Sequence, residues 1–360
     1  MQINGTVAGI SRLGGIVPSF SVAEFFEAGF EYGDLVTVYL GNDGIFTVPF
    51  VTNYTDAGCL GLVLVDYRAS HRGLALALSN DTLADIISCN KGENFTVVLR
   101  EKGGYLADYK EVGTIYSDNR EEFASDEEFA NFRMITTTGM APNLLYRSSN
   151  PFNDKRNKAR RATAAKLCRR VGIKTEIDLG DDLEDLIEIM AKPELAQDYC
   201  GQLYEQDQVA LLRLTGGAFA GDGANRVARA FRFIIKKEGP FVIHCDEGKD
   251  RAGFVCMLLE ALAGATLEDI RKDYMQTFCN YYHLQPGTDK YQRIQQMNVD
   301  RLLYIIAHPH QIANMLSLNW EMIDVKGVNP QLVAISYCWK VLKLSIEEIK
   351  ALQAKLRGKK

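Results

Sequence analysis

The sequence predicts an α/β chain, a mostly parallel sheet flanked by helices, preceded by an N-terminal β-rich domain. Three observations predict it. Strand-like runs separated by turns dominate residues 1–130, whereas short apolar strands alternate with amphipathic helices over residues 131–360. One buried run, Pro240-Phe241-Val242-Ile243, passes through a tight loop into the helical pattern of residues 254–262.

In chain order, β-branched and aromatic runs at residues 35–40, 45–50, 60–65 and 95–99 read as strands, with Gly41-Asn42-Asp43-Gly44 as a turn. Short helices are expected at 21–28 and 83–87, giving a small barrel or sandwich, an accessory domain of unassigned role. The acidic stretch from Asp118 to Glu128 reads as the linker. Beyond it, strands are expected at 175–179, 209–214 and 241–243. Helices are expected at 155–171, 183–190, 223–237, 253–263, 267–277, 289–307, 329–342 and 346–356. Thr266 with Asp269, and Ser345 with Glu348, have the spacing of capping boxes. This alternation puts the loops that follow the strands at the carboxyl edge of the sheet, where ligands bind.

Composition narrows the function. With 360 residues, 47% of them apolar, the chain has core enough for two domains. A net charge of −5 lacks the basic footprint of a nucleic-acid-binding domain. Lys155, Arg156, Lys158, Arg160 and Arg161, and separately Arg226, Arg229 and Arg232, read as charged helix faces. No apolar run reaches the ~18 residues of a membrane-spanning helix. Met1-Gln2-Ile3-Asn4-Gly5 has no basic, then apolar, secretory pattern, so a cytoplasmic location is expected, a secreted form staying open if a leader has been processed away. The 8 cysteines are scattered and suggest no disulfide framework. Cys279 with His283, and His308 with His310, match no standard zinc spacing, and Gly248-Lys249 lacks the rest of an ATP-binding loop; no metal or cofactor is expected.

The chemistry concentrates in His244-Cys245-Asp246-Glu247-Gly248-Lys249-Asp250-Arg251-Ala252-Gly253. A loop wrapping into a helix N-terminus aims unpaired amides at one point and makes an anion nest. Arg251 closes it with a fork that grips two phosphate oxygens, a geometry lysine cannot reproduce. The same field favours a Cys245 thiolate, because a cysteine pKa near ~8.5 falls by several units beside helix N-termini and cations. Such a thiolate attacks a phosphate ester in line and gives a cysteinyl phosphate that water hydrolyses. His244 is expected to hold the loop by hydrogen bonds.

These residues resemble the His-Cys-five residues-Arg signature of the protein tyrosine phosphatase superfamily. Gly248-Lys249-Asp250-Arg251 is similar to its bacterial tyrosine/serine phosphatase branch, which includes atypical enzymes that also accept phosphoinositides. Leu144 to Ser149, Gly172 to Leu179 and Asp273 to Tyr282 resemble further segments of that branch, so the likeness spans residues 136–360. It implies a phosphorylated protein or a phosphoinositide as substrate. It also implies Asp250 as general acid, Lys249 in contact with substrate phosphate or headgroup, and the loop from Asp246 to Gly253 as the phosphate cradle. Ala252 departs from the usual Thr or Ser, whose hydroxyl helps the thiolate leave. Gly180, followed by Asp181 and Asp182, replaces the arginine that usually ends the first core strand. Tyr32-Gly33-Asp34-Leu35-Val36 is similar to the β-domain of S-adenosylmethionine hydrolases, and no catalytic role is taken from it.

The residues themselves leave two acids open, Asp250 and Asp222, the second on a glycine-rich segment after the 209–214 strand. Asp222 is equally readable as a helix cap. Asp246 and Glu247 are expected to point outward, since a carboxylate facing a dianion would repel it. The alternatives to a protein or lipid phosphatase are an inositol-phosphate phosphatase and a non-catalytic phosphate-binding adaptor.

Overall fold

The early β-branched and aromatic runs close into a barrel. The computed structural model describes residues 1–359 except 12–13, 43, 54–56, 59–60, 67–72, 80–81, 107–116, 156, 215–220 and 309–322. Asp43, Leu60, Arg156 and His310, named above, therefore lie outside the described residues, as do one of the eight cysteines, Cys59, and residues 216–220 of the glycine-rich segment before Asp222.

The barrel strands are β1 (Gln2–Ile10), β2 (Ile16–Pro18), β3 (Leu35–Leu40), β4 (Gly44–Val51), β5 (Leu62–Asp66), β6 (Leu74–Leu78) and β7 (Asn94–Glu101). Pairing of β1 with β7 closes the ring, Gln2 standing opposite Val98. Closure removes the free edges that would otherwise invite pairing with other chains. Phe25, Phe30, Phe50 and Phe95 are fully buried, and the Phe25 and Phe30 rings stack with centroids 4.0 Å apart. These strands belong to a compact unit of Met1–Thr114, Thr215–Gly217 and Thr288–Val325. In its last segment the expected 289–307 helix is helices Asp289–Gln295 and Arg301–Ala307 joined by a wider π turn, Gln296–Asp300. Asn298 Nδ2 donates to the Ile294 carbonyl at 2.7 Å within that stretch.

The second unit comprises Ile115–Leu214, Ala218–Gly287 and Lys326–Lys360. Its sheet, ordered β11-β10-β12-β9-β8, contains β8 (Arg133–Met134), β9 (Leu145–Ser148), β10 (Thr175–Asp178), β11 (Val209–Leu211) and β12 (Phe241–His244). The sheet is mixed. β9 to β12 run parallel and β8 is an antiparallel edge. β12 lies between β10 and β9, so His244 stands beside both Asp178 and Ser148.

Side chains alternate across β12. Val242 joins Leu167, Cys168, Ile189 and Cys200 in the core formed with helices Lys158–Val171, Leu183–Met190 and Tyr199–Glu205. Phe241 faces the other way, where Lys355 of helix Ile346–Leu356 lies over its ring. Both expected capping boxes form, at Thr266 and Ser345. The acidic stretch expected as a linker is instead folded into this unit, as a 3-10 turn, Arg120–Glu122, and a helix, Asp126–Phe129. Phe123 and Phe129 are buried, and Asp126 and Glu127 pair with Lys166 and Arg170, which gives the segment both a core and counterions. Among the described residues no helix is long and apolar enough to cross a membrane.

Candidate active site

β12 ends at His244 and the next helix begins at Asp250, so Cys245 to Lys249 make the connection. Cys245 is buried at the carboxyl end of the central parallel strand, 3% exposed. Gly248 takes φ +68°, and a Cβ there would stand 2.1 Å from the Ser148 carbonyl oxygen. Only glycine fits that bend.

Four successive loop carbonyls are captured from outside. The Asp246 carbonyl accepts from the Asn150 amide at 3.1 Å and that of Glu247 from Asn131 Nδ2 at 3.0 Å. Those of Gly248 and Lys249 accept from Arg147 Nε and Nη2, each at 2.7 Å. A trans peptide sets each carbonyl opposite the next N–H. The amides of Glu247, Gly248, Lys249 and Asp250 are therefore turned away from these donors, toward the inside of the loop. Inward amides beside a helix N-terminus are the arrangement that an anion nest requires.

Arg147 is wholly buried on β9 and is fixed in turn. Its Nη1 lies 2.8 Å from Asp273 Oδ2, and Arg133 Nε holds Asp273 Oδ1 at 2.7 Å. Burial pushes the Asp273 carboxyl up, but the two guanidiniums hold it below its ordinary value. Asn131 Oδ1 accepts from Arg133 Nη1 at 2.8 Å and from Asn280 Nδ2 at 3.0 Å. Gly253 completes the fit, since a Cβ there would meet Arg147 Nη2 and the Tyr274 ring at 2.7 Å. Sequence reasoning noted Arg147 and Asp273 only as parts of similar segments and passed over Asn131 and Arg133. The available signal was an arginine inside a short apolar strand, a position that demands partners.

The loop's charges are paired. Asp246, expected to point outward, instead turns to Arg251, its Oδ2 2.9 Å from Nη2, drawn there by the opposite charge; Arg251 Nη1 donates to the Leu179 and Leu214 carbonyls at 3.3 Å. Burial disfavours the Arg251 cation, but the charges of Cys245, Asp246 and Asp250 hold its pKa above the ordinary value. Lys249, expected toward substrate, has its ammonium 2.9 Å from Tyr282 Oη and 3.1 Å from Glu247 Oε2, against the Tyr282 and Phe278 rings. Asp250 opens the helix, and burial raises its carboxyl pKa despite Lys249 nearby. A raised carboxyl suits a proton donor near neutrality. Ala252 is buried and brings no hydroxyl. Asp222 lies in the first turn of helix Gly221–Lys236, exposed, 2.6 Å from Arg226 Nε. Its place inside the turn, rather than before it, complements the helix dipole.

Behind the loop lies a buried polar layer. His244 Nε2 is 2.8 Å from Glu176 Oε1, and Nδ1 is 3.9 Å from Asp178 Oδ1. Burial lowers the imidazole pKa, but Asp178, Glu176 and Asp181 raise it to about 10, so His244 is a cation at neutral pH. Asp178 Oδ1 accepts from the Gly180 and Asp181 amides at 2.7 and 3.0 Å, shaping the turn after β10. Burial and the Asp178 charge push the Asp181 carboxyl up to about 7, against hydrogen bonds from Asn150 and Asn153. Glu176, Asp178 and His244 bring metal-ligand-type atoms within 4.8 Å of one another.

A sequence profile described as the tyrosine phosphatase family matches residues 127–358. No curated relative matches the chain. A solved structure, described as an uncharacterized conserved protein from Thermotoga maritima, aligns at 18% identity with a TM-score of 0.24. The alignment covers 27% of this chain and 35% of that one, and carries no argument.

Proposed function

The chain belongs to the tyrosine phosphatase family, and from that premise we propose that it hydrolyses phosphate monoesters through a cysteinyl phosphate on Cys245. In this reading Arg251 forks onto two phosphate oxygens and the amides of residues 247–250 hold the others. Cys245 Sγ attacks phosphorus in line as the ester P–O bond breaks, and Asp250 gives its proton to the leaving oxygen. Water then attacks the phosphocysteine, Asp250 takes back a proton, and the Cys245 thiolate leaves inorganic phosphate behind. We assign this chemistry to the unit of Ile115–Leu214, Ala218–Gly287 and Lys326–Lys360, rather than to all of residues 131–360, and an accessory role to the barrel unit. We place the chain in the bacterial Gly-Lys-Asp-Arg branch, with phosphotyrosine and phosphoserine as substrates.

The observation that supports this most is the capture of four consecutive loop carbonyls by Asn150, Asn131 and Arg147, which turns the following amides inward. The test is hydrolysis of p-nitrophenyl phosphate by the whole chain. Turnover lost in Cys245→Ser and unchanged by a chelator is the expected result. A second reading, a phosphate-binding adaptor, draws on Ala252, which leaves the thiolate without the usual hydroxyl. Saturable binding of the ester with no turnover would favour it.

A further inference from the structure

We infer that the site favours a single phosphate flanked by positive charge, as in a phosphopeptide with Arg or Lys beside the phosphorylated residue. This rests on the catalytic reading above and names its substrate class. The loop sets the carboxylates of Asp246 and Glu247, beside the proton-carrying Asp250, against two cations, Lys249 and Arg251. Each cation is already engaged by a carboxylate of the same loop, Arg251 by Asp246 at 2.9 Å and Lys249 by Glu247 at 3.1 Å. Lys249 is 8% exposed and also bound to Tyr282, so its ammonium is not presented to a second phosphate. When a phosphate takes the Arg251 fork, Asp246 must share that cation with a dianion. A positive group on the substrate restores the balance.

The surroundings repeat the pattern. A cavity of about 190 Å3 beside the loop is lined by Asp246, Glu247, Asp181, Asp185, Lys155 and Arg213, among others. Lys155 is 2.6 Å from Asp185, and Arg213 pairs closely with Asp182. Arg161, also in the lining, is 2.6 Å from Asp198. Arg160 turns inward beneath the Phe129 and Tyr281 rings, donating to backbone carbonyls. After β10, Gly180-Asp181-Asp182 brings two acidic side chains and no cation. A headgroup bearing further phosphates would have to break these pairs; a guanidinium or ammonium would find carboxylates at the loop edge.

The experiment uses the full chain and reads kcat/KM on p-nitrophenyl phosphate first. It then compares two phosphotyrosine peptides that differ only in Arg or Glu at the flanking positions, and a soluble phosphatidylinositol bisphosphate. The Arg-flanked peptide is expected to be faster than the Glu-flanked one by about tenfold at low salt, the ratio shrinking as ionic strength rises. Glu247→Gln should lower that ratio by about threefold. Should this variant fail to fold, the salt dependence of the unaltered protein decides instead. Equal peptide rates, or preference for the Glu-flanked peptide or the bisphosphate, would overturn the inference while turnover of p-nitrophenyl phosphate left the catalytic reading intact. No turnover of p-nitrophenyl phosphate would remove both.

Discussion

Arg147 Nε donates to the Gly248 carbonyl oxygen at 2.7 Å, tying a buried strand to the loop that follows β12. The same guanidinium reaches the Lys249 carbonyl and Asp273, so three faces of one planar group are used at once. Lysine keeps the charge beside Asp273 but not the fork. Arg147→Lys should therefore fold, with kcat on p-nitrophenyl phosphate lowered about 10- to 100-fold and KM changed much less, since loop geometry matters most where charge develops. Arg147→Ala leaves Asp273 short of a buried partner and should cost about 3–5 kcal/mol of stability in chemical denaturation. Equal kcat in the lysine variant would dismiss the positioning role.

Gly248 provides a sharper steric test. Its φ of +68° and the 2.1 Å approach of a built Cβ to the Ser148 carbonyl involve backbone on both sides, so no side chain can move aside. Gly248→Ala should lose at least about 2 kcal/mol and most of its turnover. Gly172, whose φ is +71° and whose Cβ would meet nothing within 4 Å, gives the comparison: Gly172→Ala should cost only the conformational strain, about 1 kcal/mol, and leave kcat alone.

Sequence reading found the β12–loop–helix unit because an apolar strand, glycines and a helical stripe agree there. It missed β6, Leu-Ala-Leu-Ala-Leu, because leucine and alanine favour helices in isolation; barrel pairing with β2 and β5 overrides that preference. β1 was missed because asparagine, glycine and threonine interrupt its exposed alternation, so only the partner β7 makes it a strand. In the site, the loop residues were legible as a contiguous motif. Asn131, Arg133 and Asp273 were not, because their roles arise from contacts more than 100 residues apart in sequence, such as Asn131 to Glu247 and Arg133 to Asp273. Charge pairing within the loop also escaped, since spacing does not say that Lys249 folds onto Tyr282.

The buried His244 layer predicts how stability depends on pH. His244 titrates at about 10 in the folded chain, above the ~6.5 of an unfolded histidine, so its stabilisation is full below that unfolded value and is lost as pH climbs to about 10. Asp181, at about 7 against ~3.9 unfolded, has the same sign in a lower window, losing its contribution between those values. Carboxylates held low, such as Asp126 by Arg120 and Lys166, act oppositely but only in more acidic solution. The melting temperature should therefore fall steadily from about pH 5 to about pH 9.5. Glu176→Gln removes one of the anions that keep His244 protonated and should flatten the upper half of that slope. A melting temperature that rises across this range would contradict the buried imidazolium.

The identity of the proton donor can be read from leaving-group dependence. Asp250 sits at the start of the loop's helix with its carboxyl raised by burial, whereas Asp222 is exposed and paired with Arg226. A general acid matters little when the departing oxygen is already stable as an anion and greatly when it is not. Asp250→Asn should therefore reduce kcat by about 100-fold or more on phenyl phosphate but far less on p-nitrophenyl phosphate, and should remove the alkaline limb of the pH–rate profile that deprotonation of the acid creates. Asp222→Asn should lower both substrates equally, or neither, with the profile unchanged. The reverse pattern, a leaving-group effect confined to Asp222→Asn, would move the acid to the helix Gly221–Lys236 and leave Asp250 as a charge partner of Lys249 and Arg251.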